Sequence, residues 1–259
     1  MREYHDITYA VEDDIGILTL NRPDARNALT LHTYAELRDA VLEADVRCLV
    51  ITGSDPAFCS GDDVKQIMAG PDGPPGDALE SKPRLTPAAE ALLHTDVPVI
   101  AAVNGAAVGW GMELALMADL RVASERARFG ELFVLRGLCC DVPGLVRLAG
   151  LVGRERASEL LFTGEIIDAE EAHRIGLASR VVPHTELMAT ALDLARRIAQ
   201  NPPLAVRRLK AGLRTALDPD LRELGVWVSR SLAELFRTED HREGVQAFLE
   251  KRAAQYVGR

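Results

Sequence analysis

The chain has 259 residues, 47% of them hydrophobic, with 39 acidic against 30 basic side chains and a formal charge of -9. That length buries one substantial core, and the acidic balance excludes a binder that works by non-specific attraction to a phosphate backbone. Four cysteines, at 48, 59, 139 and 140, show no C-x-x-C spacing, so neither a disulfide framework nor a zinc site is expected.

The opening residues, MREYHDITYAVEDD, carry no apolar signal core. No uninterrupted apolar run of about 18 residues follows, so the expectation is a protein of the reducing cytosol with no membrane or nucleic-acid partner. Ile7 to Glu12 and Ile15 to Leu20 flank Asp13-Asp14 and read as two strands joined by a tight turn. Thr30 is placed to cap a helix over 31–43, where Leu37, Val41 and Leu42 fall at helical spacing. A buried strand over 48–52 completes a strand, helix, strand order. Residues 69–87, PDGPPGDALESKPRLTP after Ala69-Gly70, are dense in Pro and Gly and predict a surface loop beside the site.

A helix over 87–95 leads into Val99 to Val103, an apolar run of strand length broken by Asn104-Gly105. Gly109-Trp110-Gly111 then opens a helix over 112–117, so a strand stops and a helix begins within one short apolar loop. The first N–H groups of such a helix have no partner of their own and attract negative charge. Glu113 is a carboxylate in the first turn of this otherwise apolar helix: it either does chemistry or complements the helix dipole by capping a backbone amide. Short strands are expected at 120–123 and 127–129, an irregular stretch over 137–143, and helices from Gly144, over 154–161, 169–175 and 185–200, with a strand at Val181-Val182. After Pro202-Pro203 only helical signals remain, around 205–215, 221–236 and 240–256. Leu221, Leu224, Val228, Leu232 and Leu235 form an apolar stripe that packs on the core or on another subunit.

Arg22-Pro23 with Asn27-Ala28-Leu29, the run from Ala57 to Lys65, and Ala101 to Gly105 with Gly109 to Ala115 occur in the order and spacing of a known family. The chain resembles the enoyl-CoA hydratase/isomerase, or crotonase, superfamily over essentially its full length. That resemblance implies an α/β fold built as a ββα spiral over residues 1–200, and a helical region over 201–259 used in forming a homotrimer or hexamer. It also implies an acyl-CoA thioester substrate whose carbonyl oxygen is held by the backbone N–H groups of Asp62 and Trp110. Two fixed N–H dipoles aimed at that oxygen stabilise an enolate. Coenzyme A then belongs to the substrate, and no separate cofactor, metal, nicotinamide or flavin is implied. Arg22, Arg26, Ala28, Ser60, Gly61, Asp63, Val64, Lys65, Gly109 and Phe133 are expected around the substrate, the basic ones near its phosphates. Trp110 stands where the family usually has the middle glycine of three, so its indole is expected either to shape the acyl pocket or to fill the core.

Hydratases of the family resemble one another in using two glutamates, and Phe133 stands where the second would be. Phenylalanine moves no protons. Glu131 is two residues earlier, on the same side if the local chain is a strand, and is a candidate substitute. The stretch Gly137 to Val142 resembles members that move double bonds, which makes Asp141 the expected base, against its alternative as a helix cap. The resemblance thus implies double-bond isomerisation with Asp141 and Glu113 as catalytic residues. Hydration is the alternative, followed by nucleophilic attack by Asp141 and by a silent CoA-thioester-binding subunit.

Overall fold

A computed structural model describes residues 4–68 and 76–259. The hairpin is as the sequence predicts: β1 (Ile7–Glu12) and β2 (Ile15–Leu20) pair antiparallel around Asp13 and Asp14, both at positive φ. At the start of α1 (Leu31–Leu42), Thr30 Oγ1 accepts the N–H of Thr33 and the Thr30 N–H donates in return to Thr33 Oγ1, so the predicted cap is present. Then follow β3 (Cys48–Gly53), β4 (Ala57–Cys59), α2 (Gly76–Ser81), α3 (Pro87–His94), β5 (Val99–Val103), β6 (Ala106–Val108) and α4 (Trp110–Met117). The next elements are β7 (Leu120–Ser124), β8 (Arg128–Gly130), α5 (Ala149–Val152), α6 (Arg154–Thr163), β9 (Ile167–Asp168), α7 (Ala169–Arg174) and β10 (Arg180–Val182). The chain closes with α8 (Leu187–Ala199), α9 (Pro203–Leu217), α10 (Leu221–Leu235) and α11 (Glu239–Glu250).

The strands form two sheets, in the orders β1-β2-β3-β5-β7-β10 and β4-β6-β8-β9. From β3 onward the chain lays one strand in the first sheet and one in the second, then turns through helix and repeats: β3-β4, β5-β6, β7-β8. Parallel pairing within each layer is the consequence, and this is the expected ββα spiral. Between the layers lies a core that includes Phe58, Phe129, Leu37 and Leu92. Asn104 shows how each switch between sheets is held: its amide accepts from Gly53 N–H and donates to Asp55 and Ala57, which ties the end of β5 to the start of β4.

Four local expectations change. Residues 106–108 form a strand of the second sheet, not loop, because three residues are too few to show alternation. Of the loop expected over 69–87, residues 69–75 are outside the described residues, and 76–81 are helix. Leu132–Arg136 coils into a tight helical turn, so Glu131 and Phe133 do not share a strand face. The last helix ends at Glu250, where Lys251 takes the left-handed conformation, and the tail returns so that Tyr256 donates to Leu135 O at 2.6 Å. The apolar stripe of α10 packs inward, with Leu221 and Val228 buried and Leu224, Leu232 and Leu235 partly so. No helix among the described residues is long and apolar enough to cross a membrane.

Candidate active site

The site forms where the segment after β4 meets the segment before α4. Gly111 is pressed so closely on β4 that a Cβ there would lie 2.1 Å from Cys59 O. Gly61, at φ +84°, also approaches closely: a Cβ on it would lie 3.2 Å from Trp110 N. Only glycine permits this approach and this backbone conformation. The backbone on each side of Asp62 is bonded to Leu29, through Leu29 N to Gly61 O and Asp63 N to Leu29 O, both at 2.8 Å. That pattern leaves the N–H of Asp62 itself out of the bridge. Trp110 is the first residue of α4, whose N–H has no partner within the helix. Asp62 and Trp110 both line a cavity of about 30 Å³, the volume of one or two water molecules.

Ser60, Gly61, Val64, Gly109 and Phe133 line the same cavity, so seven of the residues expected around the substrate come together. Arg136 lines it too and is not anticipated by the sequence, because an arginine after a short apolar run gives no signal of facing inward. The other expected residues are placed differently. Arg22 donates to Ala28 O at 2.5 Å and lies 3.5 Å from Asp63 and 3.8 Å from Asp6, so its guanidinium ties the loop together. Arg26 and Lys65 are exposed, and Ala28 is buried.

Glu113 and Asp141 do not line the small cavity; the Trp110 indole leads from it to them. Glu113 is fully buried, and its two oxygens accept the N–H groups of Asp141 at 2.9 Å and Gly144 at 2.8 Å. It therefore caps backbone, though not that of its own helix. Asp141 accepts from Val142 N–H at 2.8 Å with one oxygen and from the Trp110 indole N–H at 3.3 Å with the other. The indole is thus a donor to a carboxyl, a contact that neither sequence reading of Trp110 contains. Glu131 is 1% exposed, and neither of its carboxyl oxygens has a hydrogen-bond partner.

These three carboxyls perturb one another. Burial, then Glu131 and Asp141, hold Glu113 well above the usual carboxylate range. Burial, then Asp141, does the same to Glu131. Burial raises Asp141 as well, against which Val142 N–H and the Trp110 indole pull it down. Asp62 is pushed up to about 6 by burial, opposed by the hydroxyl of Tyr34, which donates to it at 2.5 Å. Groups of one chemical type held at different proton affinities are what acid and base catalysis needs. A larger cavity of about 530 Å³, mostly apolar, adjoins through Phe133 and is lined also by Glu131, Leu138 and Cys139.

The two-layered ββα spiral defines the class of protein. Residues 10–259 match the family model for enoyl-CoA hydratase/isomerase, and the chain belongs to that family. It is similar to the crotonyl-CoA hydratase of Syntrophomonas wolfei, 38% identical over 99% of both chains. It is also similar to the short-chain-enoyl-CoA hydratase of Clostridium acetobutylicum, 35% identical over 96% of this chain and 97% of the other. The crystal structure of an enoyl-CoA hydratase/isomerase from Pseudoalteromonas atlantica T6c superposes with a TM-score of 0.88 at 28% identity, covering 98% of this chain and all of the other. The chain is an enzyme of the crotonase superfamily.

Proposed function

We propose that the enzyme adds water reversibly across the double bond of a 2-enoyl-CoA. The observation that carries the reading is the bond from Asp141 N–H to Glu113, which joins two buried carboxyl residues behind the indole of Trp110. The names of the Syntrophomonas and Clostridium relatives favour hydration over the isomerisation expected from the sequence. In this reading the Asp62 and Trp110 amides hold the thioester oxygen. Asp141, the carboxyl pulled toward ionisation by two donors, takes a proton from water as its oxygen bonds to carbon 3. Glu113, whose proton affinity is raised first of all by burial, gives a proton to carbon 2 as the enolate collapses.

Incubation with crotonyl-CoA tests it, with loss of the conjugated-thioester absorbance and a product heavier by one water as the expected result. Asp141→Asn and Glu113→Gln should each lower turnover by about 10²-fold or more. Unchanged crotonyl-CoA would sink the proposal.

A second reading, migration of a double bond in a 3-enoyl- or dienoyl-CoA, is favoured by Phe133, which puts an apolar ring where hydratases of the family carry their second glutamate. It predicts consumption of a 3-enoyl-CoA with no change in mass. The substrate is in either case an acyl-CoA thioester, and the exposed Arg26 and Lys65 are proposed to meet its phosphates. We also propose that the helices after residue 201 join copies of the chain into a trimer or hexamer in the cytoplasm. Leu204, Leu209, Leu213 and Leu217 on α9 support this, since each is 60–77% exposed.

A further inference from the structure

Tyr34 touches both amide-bearing residues at once. Its hydroxyl donates to Asp62 Oδ1 at 2.5 Å, and its ring meets the Trp110 indole edge-on, 4.6 Å between centroids at 90°. The indole in turn donates to Asp141. We infer that Tyr34 is a positioning residue that locks the Asp62 and Trp110 segments against each other and, through the indole, holds the Asp141 carboxyl in place. The inference rests on the reading that these two amides hold a thioester oxygen.

The geometry gives Tyr34 this task for a physical reason. Asp62 and Trp110 follow different strands, β4 and β6, and meet across glycines, the residue type with the widest intrinsic backbone freedom. The backbone around Asp62 is bridged to Leu29, which leaves the Asp62 N–H itself out of the bonding, and a side-chain restraint on Asp62 helps fix its direction. Tyr34 supplies that restraint from five residues beyond Leu29. One short piece of chain thus grips Asp62 twice, by the Leu29 backbone and by the Tyr34 side chain. That piece is itself rigid, because the reciprocal Thr30 and Thr33 bonds fix the first turn of α1 and Asp6 accepts from both hydroxyls. Edge-on contact with Trp110 is the arrangement aromatic rings prefer, so the ring orients the indole as well as filling space.

Several charged groups share this neighbourhood. Asp62 feels Asp63, Asp141 and Arg136, while Asp141 faces Glu113 and Glu131. A displaced indole would therefore alter a coupled set of carboxyls and not one alone.

The test starts from a Trp227→Phe chain, in which Trp110 is the only remaining tryptophan of two. Trp227 is 54% exposed on α10 and takes no part in the site. In that background Tyr34→Phe keeps the ring and removes the hydroxyl. We expect kcat with the enoyl-CoA that the parent turns over to fall about tenfold with KM within about twofold, a fraction of what outright loss of an amide donor costs. Trp110 emission, and the pH at which it titrates, should move with it. Asp62→Ala, which removes the acceptor oxygen, should have an effect of similar size, and the double variant should be no worse than the poorer single one, because both remove the same contact. If Tyr34→Phe leaves kcat, emission and titration as they were, or if the two losses multiply, the inference is wrong. Should the parent turn over no enoyl-CoA, the functional reading fails while the emission of Trp110 still decides on Tyr34. If Tyr34→Phe does not fold, Asp62→Ala alone must shift the Trp110 emission for the linkage to stand.

Discussion

The indole N–H of Trp110 donates to Asp141 across 3.3 Å, so the residue that opens α4 and lines the small cavity also holds a carboxyl behind it. That bond favours the ionised form of Asp141. Trp110→Phe removes the donor and keeps an aromatic ring. A hydrogen bond of this kind contributes about 0.5–1.5 kcal/mol, and one pKa unit corresponds to about 1.4 kcal/mol. The acid limb of kcat/KM should therefore move up by about half a pH unit to one pH unit. A kcat/KM profile taken from about pH 5 to pH 9 checks it, and the limb belongs to the coupled carboxyls together.

Gly111, in the first turn of α4, sits directly against the backbone of β4. An added Cβ meets backbone, Cys59 O at 2.1 Å and Cys59 C at 2.7 Å, so no side chain can rotate away to make room. Gly111→Ala must push α4 off β4 and should cost about 1–3 kcal/mol of stability. Urea denaturation should show an earlier midpoint, and turnover should fall with it because the Trp110 amide moves with the helix. Gly150→Ala is the control, since a Cβ there meets nothing within 4 Å.

The hairpin, the cap at Thr30, the strand at 99–103 and the glycine pairs are legible in the sequence because each has a local cause: alternation, a hydroxyl before an apolar helix, or a backbone that must turn. Asp62, Trp110, Gly61 and Phe133 are placed together by resemblance, and they do share one cavity. Contacts between side chains far apart in sequence are not legible. Tyr34 reads as one more residue of an amphipathic helix, and nothing local shows that its hydroxyl reaches Asp62, 28 positions away. Arg22 is expected near the substrate's phosphates through the family resemblance alone, and nothing local shows that its guanidinium also reaches Ala28 O and Asp63. The reading of Glu131 depends on strand geometry, and the chain coils there instead, yet burial still brings it within electrostatic reach of Glu113.

The exposed leucines of α9 yield a third prediction. Leu209, Leu213 and Leu217 recur every four residues, so they lie along one face. If copies of the chain meet there, light scattering after size exclusion should give a mass that is a multiple of the single chain. Leu213→Glu with Leu217→Glu should then reduce it to that of one chain, because burying two carboxylates in an apolar contact is unfavourable. A single-chain mass for the unaltered protein at micromolar concentration would dispose of the oligomer.

Glu131 gives the sharpest test of the buried cluster. Its oxygens have no hydrogen-bond partner, and burial followed by Asp141 keeps its proton affinity well above that of an unfolded glutamate, 4.5. Linkage sets the sign: between those two values the folded chain holds a proton that the unfolded chain has released. Its contribution to stability is complete below about pH 4.5 and is lost as pH rises through the raised folded value. Glutamine has the same shape and no charge, so Glu131→Gln should match the parent near pH 5 and exceed it increasingly toward pH 8. The gain is about 1.4 kcal/mol for each pH unit crossed below the folded value, or about 2–4 °C of melting temperature per kcal/mol in a chain of this size. Glu113, Asp141 and Asp62, all raised, remain in the variant, and His241, lowered by burial, acts in the opposite direction. The difference between the two melting curves is therefore the quantity to measure. A difference that stays flat across this range would mean that Glu131 does not titrate as a buried acid.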